Sequence, residues 1–281
     1  MNLYRSIKLF LARSVSSLTE RSIKPQERSD LSREEQRLEI WRLRGIPSYD
    51  ENNLVTWAQS VDFMSDSRFL AAYGRGMDSG HQIMRPPGSR DDIQIKWRVA
   101  ICCWAGRHAS RLAGDFVECG TNTGILSLAI CEYIDFNSTG KYFWLFDTFE
   151  GIPLEQISEE EHKQSRAHES ETMYPPCYEL AQRNFAPFPR ARLVKGKVPD
   201  TLASVAIEKV CYLSLDMNIA APERAAMEYF WPRLVTGGII VLDDYGWTPY
   251  RAQKRILDDF AVQRGVEIMM LPTGQGLLIK S

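Results

Sequence analysis

Phe116-Val117-Glu118-Cys119-Gly120-Thr121-Asn122-Thr123-Gly124 is the stretch on which the fold turns. The apolar run Phe116 to Cys119 reads as a short strand, and an apolar helical pattern follows from Gly124 to Ile134. Gly120 and Gly124 let the backbone turn sharply and approach a ligand closely. The same glycines suit any tight strand-to-helix bend, so by themselves they leave a ligand cradle and a simple turn both open. Glu118 disfavours a pyrophosphate and suits a cationic ligand. A sulfonium carrying an amino group is one.

The chain divides near residue 113. Upstream, Ile93 to Leu112 reads as a helix closed by Gly114, with Ile95, Val99, Ile101, Cys102, Ala105 and Ala109 at helical intervals. Before it, Ser32 to Arg44 is charge-rich and helical, Pro47 to Asn53 a loop, and Leu54 to Tyr73 of mixed helical spacing. Gly74 to Asp92, with four glycines and Pro86-Pro87-Gly88, is a loop long enough to suspect function. Residues 1–92 are therefore expected to form an N-terminal helical extension, serving as lid or dimerisation element, and residues 93–281 the ligand-binding domain.

Downstream the rhythm is strand, turn, helix. Strands are expected at Tyr142 to Phe146, Ala191 to Val194, Val210 to Leu215 and Gly238 to Leu242. Helices are expected at Tyr178 to Phe185, at Pro222 to Leu234 with proline at its start, and at Tyr250 to Arg264. Val266 to Leu271 and Gly276 to Ile279 form a closing hairpin around Pro272-Thr273-Gly274. Such alternation predicts an α/β, Rossmann-like fold: a mostly parallel sheet covered by helices, here with a C-terminal antiparallel hairpin. Pro153 to Pro189 interrupts the rhythm as an insertion placed to lie over the site.

In open sheets of this kind ligands bind at the carboxyl ends of the strands, where strand order reverses. Asp147, in Phe146-Asp147-Thr148-Phe149-Glu150-Gly151, ends the second strand and suits the ribose hydroxyls of a nucleoside; a turn or helix-cap aspartate is the plain alternative. Asp216 ends the fourth strand and Asp243-Asp244 the fifth. Adjacent strands bring these three acids together, an arrangement that asks for a cation, and carboxylate oxygens suit Mg²⁺. Capping of the following helices by Asp216 and Asp244 is the competing reading. Asp216 is the candidate general base, or the group that orients the acceptor through a metal. The histidines at 81, 108, 162 and 168 form no cluster; His81 lies in the glycine-rich loop within reach of a substrate, and His108 reads as a packed or surface residue. Trp97, Trp104 and Trp231 are expected in the core, whereas Trp247 and Tyr250 follow the acid pair closely enough to meet a substrate.

At this point the motifs resemble a known family. Gly-Asp-Phe-Val-Glu-Cys-Gly (114–120), Phe-Asp-Thr-Phe-Glu-Gly-Ile-Pro (146–153), Leu-Val-Lys-Gly-Lys-Val-Pro-Asp-Thr-Leu (193–202), Leu215-Asp216 and Gly-Gly-Ile-Ile-Val-Leu-Asp-Asp-Tyr-Gly (237–246) are similar to the macrocin, mycinamicin and novobiocin O-methyltransferases. The resemblance covers residues 95 to 281. It implies a class I methyltransferase fold of seven strands and methylation of a sugar hydroxyl with S-adenosylmethionine and Mg²⁺. By position it implies that Glu118 and Gly120, with Thr121, Asn122 and Gly124 of the same turn, meet the methionine part of the cofactor and Asp147 the ribose. Gly196 and Lys197 then lie near the adenine, and Asp216, Asp243 and Asp244 hold the metal. The chain departs from the family's Leu-Asp-Gly-Asp at Leu215-Asp216-Met217-Asn218, where one acid becomes an amide.

Composition sets the outer bounds. The chain has 281 residues, 44% hydrophobic and 25% charged, enough to bury a sizeable core, and a net charge of −2 that does not suggest a nucleic-acid partner. Its six cysteines form no CxxC pair, which argues against zinc and a disulfide framework and for a reducing, cytoplasmic setting. No apolar run approaches the roughly 20 residues of an integral membrane segment. Met1 to Thr19 is free of acids and amphipathic, suiting a surface or transit helix, or one that packs on its own domain or on a partner subunit, which leaves a homodimer open. A nicotinamide-dependent oxidoreductase is the rival enzyme, but it wants a third glycine two positions past Gly120, where Asn122 stands. A non-catalytic protein that keeps the fold is the rival of another class.

Overall fold

The computed structural model describes residues 32–86 and 88–281; the amphipathic segment Met1 to Thr19 lies outside the described residues. By contact the described residues fall into two compact units, 32–61 and 62–281. In the first, α1 (Arg33–Arg44) opens on a capping box: Ser32 Oγ accepts from the Glu35 N–H, and the Glu35 carboxylate accepts from the Ser32 N–H at 2.8 Å. A hairpin follows, β1 (Tyr49–Glu51) paired antiparallel with β2 (Leu54–Thr56). This corrects the loop expected over 47–53 and the helical reading from Leu54. Asn52 and Asn53 both take positive φ, 49° and 61°. That is the geometry of a two-residue hairpin turn that asparagine tolerates, and it draws Val55 and Thr56 into a strand.

The second unit begins with α2 (Ser67–Met77), capped by Asp66, whose carboxylate accepts from the Phe69 N–H at 2.8 Å. Then come α3 (Lys96–Ala109), β3 (Asp115–Cys119), α4 (Ile125–Tyr133) and β4 (Phe143–Asp147). The Pro153–Pro189 stretch carries α5 (Glu159–Lys163), α6 (Arg166–Met173) and α7 (Tyr178–Phe185). After β5 (Ala191–Lys195) and β6 (Val210–Leu215) lie α8 (Ala220–Phe230), β7 (Leu234–Leu242), α9 (Arg251–Arg264), β8 (Met269–Met270) and β9 (Gly276–Ile279). Pro222 falls in the first turn of α8, where a missing N–H costs no helical bond.

The strands form one seven-stranded sheet in the order β5-β4-β3-β6-β7-β9-β8. β3 to β7 pair in parallel and β9 pairs antiparallel with both β7 and β8, so the closing hairpin is present. All six residues of β6 are buried, as in a central strand covered on both faces. On β3 the alternation is clean. Phe116 packs towards α2, α3 and α4, while Val117 and Cys119 pack towards α8 and α9. Phe116 stacks on Tyr212 at 5.2 Å and meets Phe136 edge-on at 5.4 Å. Such pairs contribute about 0.5–1.5 kcal/mol each beyond the area they bury. The chain leaves β3 towards β4 on one side and resumes at β6 on the other, so strand order reverses between β3 and β6.

Among the described residues no helix is long and apolar enough to cross a membrane. All six cysteines are free and buried.

Candidate functional site

The two strands beside the reversal end in residues the sequence singled out. Gly120 follows β3 with φ +97°, and a Cβ there would lie 1.9 Å from the Asp216 carbonyl oxygen at the end of β6. Gly124 has φ +93°, and a Cβ would come within 2.5 Å of the Phe185 ring. Packing within the protein alone therefore explains both glycines, and the case for a ligand rests on the polar atoms around them.

Glu118 is 2% exposed and faces the same side of the sheet as Phe116, in register with Ser214 of β6. Burial pushes its carboxyl up to about 8, against the pull of the nearby Ser127 and Thr121 hydroxyls. Glu118 Oε2, Thr121 Oγ1, Ser127 Oγ and Ser214 Oγ are all buried without a hydrogen-bond partner. Each such atom costs about 1–3 kcal/mol. A ligand bringing positive charge and N–H donors offsets that cost.

Asp147 ties two turns together. Its Oδ2 accepts from the Asn122 N–H at 2.7 Å, and its Oδ1 from the Phe149 N–H at 2.5 Å. The second bond is the turn contact anticipated as the plain alternative, yet no helix follows for Asp147 to cap. Burial raises its pKa while these N–H groups pull it down. Each carboxylate oxygen retains lone-pair capacity for a further donor. Asp147 lines a cavity together with Gly120, Asn122, Gly196, Tyr174 and Asp216. Lys197 stands apart: its exposed ammonium pairs with Glu155.

The expected acid trio is assembled. Carboxylate oxygens of Asp216, Asp243 and Asp244 lie within 4.8 Å of one another. Neither Asp216 nor Asp244 caps a helix. The N-cap of α8 is Ile219, whose neighbour Ala220 donates its N–H to Glu161 at 2.7 Å, and the N-cap of α9 is Tyr250. Burial, and then the charge of Asp244, push Asp216 well above the usual carboxylate range; Arg98 pulls the other way. Burial likewise raises Asp244. Arg98, from α3, pairs with Asp243 and reaches Asp244 at 3.7 Å, while Gln275 Nε2 donates to Asp243 Oδ1 at 2.9 Å. Hard oxygen donors at this spacing fit Mg²⁺. Beneath them Glu223, pushed up to about 8 by burial, accepts from the Met217 N–H at 3.1 Å and fixes the turn after Asp216.

The insertion contributes Gln156, Tyr174 and Cys177 to the cavity wall. Buried Glu161 holds one end of it to α8. Arg166, 1% exposed, lies 3.8 Å over the Tyr250 ring and donates to the Pro249 carbonyl at 3.0 Å. The glycine-rich loop is stitched to the turn after β3: Thr123 Oγ1 donates to Ser79 Oγ at 3.1 Å, and Asn184 Nδ2 donates to both Ser79 O and Thr123 O. His81 of that loop is half-buried with an enclosed, unpartnered Nδ1, and desolvation beside Arg85 and Arg98 holds its pKa down at about 4. His108 instead bonds the Gly237 carbonyl at 2.9 Å and stacks on Trp104. Trp104, expected in the core, is 52% exposed; it sits on the outward face of α3.

Arg98, Gln275, Glu161, Arg166 and Tyr174 escaped the reading of the sequence. For Arg98 a signal existed: it falls in the buried stripe of α3 with Ile95, Cys102 and Ala105, where a charge needs a partner. Tyr250 and Lys254 stand at the Tyr-x-x-x-Lys spacing of short-chain reductases. They do not act together, because Lys254 Nζ bonds Asp258 at 2.6 Å and Tyr245 at 3.1 Å while Tyr250 lies under Arg166.

The family model described as Macrocin-O-methyltransferase (TylF) matches residues 103–272, well over half of the chain. The chain belongs to the macrocin O-methyltransferase family. Curated relatives include the 8-demethyl-8-(2,3-dimethoxy-alpha-L-rhamnosyl)-tetracenomycin-C 4'-O-methyltransferase of Streptomyces olivaceus, 27% identical over 145 residues that make up 49% of this chain and 55% of that protein. The mycinamicin III 3''-O-methyltransferase of Micromonospora griseorubida is 24% identical over 144 residues, 47% of this chain and 55% of the relative. The chain thus spans about half the length of the curated relatives it matches. Among solved structures, the O-methyltransferase NovP superimposes with a TM-score of 0.60 at 19% identity, over 73% of this chain and 88% of that one. The calicheamicin methyltransferase CalS11 gives 0.54 at 15% identity, over 79% and 98%. These two likenesses establish the Rossmann-like methyltransferase fold.

Proposed function

We propose that the chain transfers a methyl group from S-adenosylmethionine to a hydroxyl oxygen of a sugar or glycosylated small molecule. The observation that carries this reading is the buried, unpartnered polar set around Glu118 at the reversal of strand order, with Asp147 alongside. In this reading Glu118, Gly120, Thr121, Asn122 and Gly124 receive the methionine part of the donor. Asp147 receives the ribose and Gly196 lies along the adenine, while Lys197, paired with Glu155, stays outside the cavity lining. The sugar acceptor follows the activities for which the two curated relatives are named. A cytoplasmic location belongs to the same proposal and agrees with six free thiols.

Asp216, Asp243 and Asp244 are the residues that would hold Mg²⁺, which when bound supplies Lewis-acid polarisation and orientation of an oxygen. The chain's own part is alignment and proton acceptance. Asp216 lines the same cavity as Gly120 and Asn122, so the group assigned to take the acceptor's proton shares that cavity with the turn assigned to the donor. The insertion, latched by Glu161 and Arg166, limits water in the cavity and fixes the acceptor for in-line approach.

The test is methyl transfer from labelled S-adenosylmethionine to a panel of rhamnosylated and other glycosylated acceptors. Asp216→Asn is expected to reduce turnover by about 100-fold or more while leaving S-adenosylhomocysteine affinity nearly intact. Unchanged turnover removes Asp216 from the chemistry.

A further inference from the structure

We propose that Arg98 is a built-in counter-cation of the acid cluster, and that it sets how tightly the cluster holds a divalent ion by competing for Asp243 and Asp244. The inference rests on the metal reading above. It starts from the position of Arg98 in the buried stripe of α3, which aims a guanidinium at the ends of strands it does not belong to. Nη2 donates to Asp243 Oδ2 and stands 3.7 Å from Asp244 Oδ1. Asp243 Oδ1 is meanwhile taken by Gln275 at 2.9 Å. Both Asp243 oxygens are thus engaged, whereas no side chain among the described residues hydrogen-bonds the Asp216 carboxylate, and Asp216 lines the cavity.

Two details make Arg98 a competitor rather than a support for Asp243. Asp243 is already fixed without it, through Gln275 and through its own N–H, which donates to the Leu215 carbonyl at 3.0 Å. The guanidinium is also loosely committed. A dedicated arginine–carboxylate pair uses the two prongs of the fork together. Arg98 uses Nη2 alone, and its Nε is buried with no partner. With all three acids ionised, Arg98 brings the cluster from three negative charges to two, the charge that one divalent ion balances. Removing a positive charge this close to the cation site strengthens the attraction for a metal.

The measurement is calorimetric titration of the full chain with Mg²⁺, without donor or acceptor, for the wild type and for Arg98→Met, Arg98→Gln and Arg98→Lys, with thermal unfolding in parallel. Arg98→Met and Arg98→Gln are expected to bind Mg²⁺ about ten-fold or more tightly than the wild type, and Arg98→Lys to resemble the wild type. Metal-free Arg98→Met should melt lower than the wild type and recover when Mg²⁺ is added. Should Arg98→Met not fold, Arg98→Gln carries the test, since it keeps a donor for Asp243 and removes only the charge. Equal or weaker Mg²⁺ binding in the neutral variants overturns the proposal and leaves the metal assignment standing. Absence of Mg²⁺ binding in every variant overturns both, and leaves the donor reading to be judged by S-adenosylhomocysteine binding alone.

Discussion

Gly120 carries two demands at once, a left-handed backbone at φ +97° and a close approach to the Asp216 carbonyl. Gly120→Ala should destabilise the chain by on the order of 3 kcal/mol, combining backbone strain and overpacking. A urea unfolding curve reads this directly, and a change below the error of the curve contradicts it. The sequence showed that a tight turn was needed here but not what pressed against it. The partner lies 96 residues away on β6 and is a backbone atom, which leaves no mark in residue type. Glu118 makes a pH prediction. Its carboxyl is raised from 4.5 to about 8, so between those values the folded chain keeps a proton that the unfolded chain has released. Stability of the ligand-free chain therefore falls as pH rises through that window, and Glu223, also raised to about 8, adds to the slope. His81, held down from 6.5 to about 4, has the opposite sign at lower pH, where stability is lost as pH falls from 6.5 towards 4. From pH 6.5 to 8 the carboxylates act without it. The urea midpoint should decline over that range and decline less in Glu118→Gln; a midpoint that rises in the wild type is the contrary result.

At the scale of elements, the strand-turn-helix alternation after residue 113 was legible because parallel strands buried on both faces read as short apolar runs. The hairpin at 49–56 was not, because its Asn-Asn turn is a weaker signal than one carrying glycine and its strands are three residues each. The acids at the strand ends were legible as a set because strand order alone brings them together. Their counter-ion was not, since Arg98 and Asp243 are 145 residues apart on a helix and a strand. The insertion also escaped in detail: its place over the site was expected, but nothing in residue type marks Arg166 as buried. It is a latch. Arg166→Met removes a charge-assisted bond to Pro249 and a cation over Tyr250, together worth about 2–3 kcal/mol. The expected result is faster protease cleavage within residues 153–177 and a higher KM for the acceptor, with S-adenosylhomocysteine affinity little changed. Wild-type cleavage and KM would show that the latch has no part in holding the insertion.

For the molecule as a whole, the proposed reading receives donor and acceptor largely at different strand ends. Glu118 on β3, Thr121 in the turn after it and Ser127 on α4 carry unpartnered oxygens on the side of the Asp147 carboxylate, with Ser214 of β6 facing them; the ends of β6 and β7 hold the acids. Such a division makes the donor pocket testable without knowing the acceptor. Calorimetric titration of the wild-type chain with S-adenosylhomocysteine, and separately with NAD, tests the central claim most directly. The account predicts binding of S-adenosylhomocysteine that is weakened in Glu118→Gln and in Asp147→Ala, and no binding of NAD. Failure of S-adenosylhomocysteine to bind, or binding of NAD in its place, would contradict it.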